Sequence, residues 1–333
     1  MSKLKLVAIG VPVFLILGLI TGLSRFGLFP TDLSIHHGVL MLNGFAGGLI
    51  TLERTLSKPV LANFISLIML VVGVILASLD MTWGLWLVTG AIILLILAEV
   101  QASRTHHWAY HLMQLTGLLC WLTANAKYQF SNFYPAAVPF WQAFVLMMIL
   151  ATRLKKIDRI SDLTVMLVLG LYIVSICLPF HSAASSLTGV LLITLAAVVL
   201  RLELRHSDDQ RYRLMIVYGW LIATAIGMLL SDQILNSYDF VLHSFFLGFL
   251  FNMIFLNASK AIVSKFGVIG IPLAESLWMI IMTAGLLIRI VPGDVLGIEM
   301  ARVVGGIISI LAILGFLGSV IRSVVLTRMG RAT

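Results

Sequence analysis

Eight histidines and a few other ionisable side chains, set within long apolar runs, are the residues of this sequence best suited to chemistry. An ionisable group inside a membrane-crossing run is costly and marks function by default. His36 and His37 open the run LSIHHGVLMLNGFAGG. His37, Met41, Gly44 and Gly48 fall at i, i+4, i+7 and i+11, on one helical face. That stripe sets a nitrogen and a soft sulfur above small residues. Small residues let a second helix come close, and they would equally admit a flat macrocycle. His243 opens YDFVLHSFFLGFLFNMIFLNA at about the depth that His37 has in its own run, with Phe246, Leu247 and Leu250 as an apolar wall below it. Two neutral imidazoles at matched depth on parallel helices suit the two faces of a haem iron. Two interfacial histidines, each hydrogen-bonded to a neighbour, read equally well from the same residues.

Other groups carry less specific signals. His107 and His111 stand at i and i+4, a metal-capable spacing. They lie beside Trp108 and Tyr110 in an interfacial aromatic belt and lack the carboxylate of an H-E-x-x-H element, so a role in proton or substrate uptake stays open. His181 reads as interfacial and His206 as solvated. Glu99 and Glu275 could begin a proton path or sit in charge pairs. Glu53 and Arg54 read as a local pair. Asp239, with Asp232 and Tyr238, lies near His243, where a carboxylate could orient an imidazole by accepting its second N–H.

These residues need helices in a bilayer to position them. Of the 333 residues 60% are hydrophobic and 11% charged, with a mean hydropathy of +1.08. A water-soluble globule, a disordered chain and a disulfide scaffold are excluded, the last because only Cys120 and Cys177 are present. Taking about 20 apolar residues per crossing, twelve spans emerge, roughly at 6–24, 33–52, 60–79, 82–101, 107–126, 136–152, 163–180, 183–200, 214–231, 239–259, 270–290 and 299–321. The expected fold is an all-α polytopic membrane bundle, one transmembrane domain over 1–333 with no soluble domain. The first run is longer than a signal peptide and lacks a cleavage site, so it reads as a retained helix.

Charge orients the bundle. With both termini cytoplasmic, eighteen of the twenty-two Lys and Arg residues fall on the inner side, as the positive-inside rule requires. The formal charge of +8 is therefore a topology signal, and no interleaved basic and aromatic surface suggests nucleic acid. Arg25, Lys127, Arg289 and Arg302 are the outer exceptions. Arg289 and Arg302 either snorkel and pair with Asp294 and Glu299, or hold an anionic group of a ligand. There is no P-loop, no nucleophile elbow and no C-x-x-C-H for covalent haem.

The H-G-x-x-M element at the start of span 2 (His37, Gly38, Met41) and the histidine at the start of span 10, on twelve spans, resemble subunit I of haem–copper oxidases. That resemblance implies a low-spin haem hung between spans 2 and 10, with arginines near the junction of spans 11 and 12, here Arg289 and Arg302, holding its propionates. The stretches HGVLMLNGFAGGLITLERTL, YDFVLHSFFLGFLFNMIFLNA and FWQAFVLMMILATRLKKIDR more closely resemble the NnrS-type membrane proteins of the nitric oxide response. The departures are specific. Spans 6 and 7 contain no histidine, and span 10 has one. The oxidases' binuclear oxygen site is therefore missing. The NnrS-type H-x-H-E-M element is not intact, because His36 and His37 are adjacent, and no histidine follows Asn257.

The resemblance thus implies an oxidase-like bundle in the bacterial inner membrane, with one b-type haem on His37 and His243. Copper is open, but no ligands for it are found. The implied role is nitric oxide response or electron transfer from a quinol or a redox partner protein. A twelve-helix secondary transporter and a non-catalytic membrane subunit of a larger complex are the alternatives.

Overall fold

The computed structural model describes residues 2–28, 36–103, 108–131, 133–159, 162–178, 182–206, 210–257 and 272–330. Among the described residues there is no strand, and twelve helices follow one another. They are α1 (Ser2–Ser24), α2 (Val39–Gly47 running on as Gly48–Ser57), α3 (Leu61–Ser78), α4 (Thr82–Ala102), α5 (Trp108–Ser131) and α6 (Tyr134–Lys156). After these come α7 (Leu163–Cys177), α8 (Ser182–Leu204), α9 (Arg211–Leu229), α10 (Ser237–Asn257), α11 (Pro272–Ile288 running on as Arg289–Val295) and α12 (Glu299–Gly330).

By length and composition, eight of these helices can cross a membrane: α3, α4, α6 and α8 to α12. The protein is therefore an all-α membrane protein. Two further apolar helices are shorter, Gly10–Ser24 within α1 and Leu163–Cys177. At about 1.5 Å per residue, the fifteen residues of α7 fall short of a bilayer core of about 30 Å. The run was expected to extend to 180, but the backbone turns extended at Leu178. The polar residues of α2 (the ERTLS end) and of α5 (Tyr110, His111, Gln114, Asn125, Lys127) dilute their apolar character.

The chain divides into two compact units, residues 1–160 with α1 to α6 and residues 161–333 with α7 to α12. In the first, α3 and α4 form a tight hairpin, turning at Asp80 with a positive φ of 57°. A Cβ at Gly84 would lie 2.2 Å from the backbone nitrogen of Ala77, so only glycine permits this approach. Helix α6 is buried on nearly all sides, as expected of a helix that is apolar all round. Pro135 starts it in the first turn, where a missing N–H costs least. Arg153, Lys155 and Lys156 end it, opposite the negative pole of its dipole. Pro139 lies inside α6. In the second unit the Asp162 carboxylate accepts from the Val165 N–H at 3.2 Å and caps α7.

Three stretches wind more widely than an α-helix, as π-helix: Val39–Gly47, Ser244–Phe251 and Arg289–Val295. Such turns are rare and gather at functional sites. Here each begins at or within two residues of a candidate: His37, His243 and Arg289. Glycines at 44 and 47 in the first, which follows Gly38, and at 248 in the second lower the resistance of the helix, and Pro292 in the third cannot donate to the α-helical ladder.

Candidate functional site

The second unit gathers five ionisable side chains from three helices. His243 and Asp239 come from α10, Arg289 and Asp294 from the end of α11, and Arg302 from the start of α12. Their placement follows from close backbones. Cβ atoms at Gly305 and Gly293 would strike the Arg289 backbone nitrogen at 2.5 Å and the Arg302 side chain at 2.6 Å. Arg302 pairs with the Asp239 carboxylate and, through Nε, lies 3.1 Å from Asp294 Oδ1. Arg289 lies 4.0 Å from Asp239, and the backbone N–H of Asn236 donates to the Asp294 carbonyl at 3.0 Å. Asp294 is fully buried and Arg289 nearly so. Two guanidinium groups thus face two carboxylates, a locally neutral arrangement that offsets much of the cost of burial.

His243 is oriented within this cluster. Its Nδ1 lies 2.7 Å from the backbone carbonyl oxygen of Asp239. A carbonyl only accepts, so Nδ1 carries the proton. The Arg289 guanidinium, 3.3 Å from the same nitrogen, is then a neighbouring cation, since both groups are donors. In the neutral ring the lone pair falls on Nε2, the state in which imidazole binds a metal. The orienting acceptor is thus the Asp239 backbone, while its carboxylate serves Arg302.

His37 has the same tautomer in the first unit. Its Nδ1 lies 2.7 Å from the backbone carbonyl oxygen of Gly18 on α1. A Cβ at Gly22 would lie 3.0 Å from His37 Cε1, so the bare glycine leaves the ring room. The rest of the stripe is packed by α1. Positions for Cβ at Gly18, Gly44 and Gly48 meet Met41, Phe14 and Val11 respectively. The Met41 thioether therefore lies against Gly18, and the small residues admit a helix. His36 stands at the rim, with Nε2 3.7 Å from the exposed carboxylate of Asp80.

A second buried charge cluster lies at the opposite end of α2. Glu99 of α4 receives Arg54 at 2.9 Å and His111 Nδ1 at 2.6 Å, and Arg54 also donates to Gln114. Glu99, His111 and Gln114 are all buried. Arg54 is thereby drawn across to two other helices. His107 lies outside the described residues, as do His106 and His181. In the second unit Glu275 receives Arg213 at 2.9 Å, and Glu203 accepts from the Tyr218 hydroxyl at 2.7 Å. Among the described residues no three His, Cys, Asp or Glu side chains group as a metal site.

Sequence reasoning did not foresee the buried network between α2 and α5. Trp121 Nε1 donates to Asn43 at 2.8 Å, Asn43 donates to Asn125 at 2.9 Å, and Asn125 returns to the Trp121 carbonyl at 3.2 Å. The signal available was two asparagines within apolar runs.

No curated protein and no solved structure matches the chain. One family does, and its match runs from residue 4 to residue 325, nearly the whole of both units. The chain therefore belongs to the family described as Domain of unknown function (DUF8744).

Proposed function

We propose that this is an NnrS-like, haem-binding protein of the bacterial inner membrane, acting in nitric oxide response or membrane electron transfer. Its candidate imidazole ligands are His243 in the second unit and His37 in the first, each taken by itself. The observation that carries the reading is the shared state of these two rings. Each has Nδ1–H bound to a backbone carbonyl at 2.7 Å, which fixes the ligand-competent tautomer. The adjoining π turns add support. A b-type haem would supply one-electron iron chemistry. Arg289 and Arg302 suit its propionates by charge, sharing them with Asp239 and Asp294. Met41 is left out of the ligand set, since its sulfur packs on α1. The charge pattern supports twelve spans, with both termini cytoplasmic.

The test is the absorption spectrum of the purified, haem-supplemented protein. A Soret band lost in His243→Ala or His37→Ala supports the reading. Its absence from the wild type overturns it. The buried Arg54–Glu99 and Arg213–Glu275 pairs favour a second reading, a secondary transporter. Substrate accumulation by haem-free proteoliposomes would select it. Assembly as a non-catalytic subunit would show as co-purification at fixed stoichiometry.

A further inference from the structure

The last turn of α6 and the residues just after it carry four basic side chains within seven positions, Arg153, Lys155, Lys156 and Arg159, against one carboxylate, that of Asp158. Arg153 is buried, whereas Lys155, Lys156 and Arg159 are exposed. None of the ion pairs between described residues of the first unit takes in one of these three cations.

Capping of the helix does not use them either. The chain leaves α6 through a Schellman turn: Asp158 has a left-handed φ of 54°, its N–H donates to the Lys155 carbonyl at 3.2 Å, and the Arg159 N–H returns to the Leu154 carbonyl at 2.9 Å. The backbone thus closes its own end and keeps Arg159 against the turn that carries Lys155 and Lys156. The helix dipole favours cations in that turn but fades beyond it, where Arg159 stands.

Their depth is fixed by an aromatic ring. The Lys155 ammonium lies 4.2 Å from the ring centroid of Tyr110, near the start of α5. On that helix Trp108, Leu112 and Leu119 are exposed, an aromatic residue followed by leucines, as at an interface that leads into lipid. The cations are thereby held where phospholipid phosphates lie.

We propose that this end of α6 binds the phosphodiester headgroup of an anionic membrane phospholipid. A group of four Lys and Arg residues bordering a membrane helix attracts anionic lipid. The Arg159 guanidinium can meet two phosphate oxygens at once, and the two ammonium groups act as point charges. The inference goes beyond the haem reading and does not depend on it, since binding is measured on haem-free protein.

The experiment is native mass spectrometry of the full-length protein in detergent, titrated with phosphatidylglycerol and, separately, with phosphatidylcholine of the same chains. Saturable binding of phosphatidylglycerol is expected, several-fold tighter than that of phosphatidylcholine. Lys155→Gln, Lys156→Gln and Arg159→Gln each weaken it by about 5-fold, and together by about 100-fold. Lys127→Gln, which removes an exposed cation lying 5.3 Å from the Phe140 ring, leaves it unchanged. The double variant Lys155→Arg, Lys156→Arg keeps the charge and keeps the binding, which separates loss of charge from loss of fold. Equal affinity for the two lipids, unchanged affinity in the triple variant, or loss of binding in the double arginine variant overturns the proposal. So does displacement of the lipid by inorganic phosphate at matched ionic strength, which would assign the cluster to a free anion. Absence of a Soret band leaves lipid binding intact, so the two readings fail separately.

Discussion

The Nδ1–H of His243 donates to the backbone carbonyl oxygen of Asp239, one turn earlier on α10, at 2.7 Å. The same residue thus orients the imidazole with its backbone and holds Arg302 with its carboxylate. Arg302 in turn reaches Asp294 on α11, so the start of α12 is tied to two helices through one guanidinium. His37 obtains its orientation from another helix, through Gly18 of α1. One ring is therefore fixed locally and the other by tertiary contact.

This difference separates the two histidines under mutation. Gly22→Val crowds the His37 ring, which lies 3.0 Å from an ideal Cβ at that position, and leaves α10 untouched. A spectrum from two imidazole ligands should shift towards that of His37→Ala in Gly22→Val. An unchanged spectrum would remove His37 from the ligand set.

Met41→Leu should leave the absorption spectrum unchanged. The Met41 sulfur packs against Gly18, and a volume-conserving swap costs under about 1.5 kcal/mol. A lost or shifted band would return the thioether to the site.

Asp294→Asn removes a fully buried charge that faces Arg302 at 3.1 Å. Asp239 still faces that guanidinium, so the loss is expected at about 2–3 kcal/mol, the lower end for a broken buried pair. A drop of several degrees in the thermal midpoint in detergent checks it. A neutral outcome would mean that Asp294 is protonated in the folded protein.

Glu99→Gln leaves Arg54 buried opposite a neutral amide, with His111 losing its carboxylate partner. The expected cost is roughly 3–5 kcal/mol. Arg54→Gln in the same background should restore part of it. A double-mutant cycle on thermal stability measures the coupling, expected at about 1–3 kcal/mol. Additive losses would show that the pair does not act as a unit.

The proposed orientation is checked independently of any ligand. A fluorescent-protein fusion at Thr333 should fluoresce and a periplasmic alkaline phosphatase fusion there should be inactive, because eighteen basic residues lie on the side assigned to the cytoplasm. The opposite pair of results would invert the bundle.

The sequence by itself determined the class of solvent. Sixty per cent apolar residues and long uncharged runs leave backbone polar groups no choice but helices, and eight of the twelve expected runs fall on helices long and apolar enough to cross a membrane among the described residues. It also singled out His37, His243, Arg289 and Arg302, since an ionisable group is conspicuous in an apolar run. What it could not decide was direction around each helix axis. The stripe His37, Met41, Gly44 and Gly48 was legible as one face, but only packing decided that α1 fills it. Arg54 stands beside Glu53 in sequence, yet reaches Glu99 on α4, because opposite charges in an apolar interior are drawn together across helices. The π turns escaped the 3.6-residue pattern altogether, since each wide turn resets the phase of the residues that follow. Tautomer and partner are decided by which carbonyl stands 2.7 Å from a ring nitrogen, and that distance exists only in the folded chain.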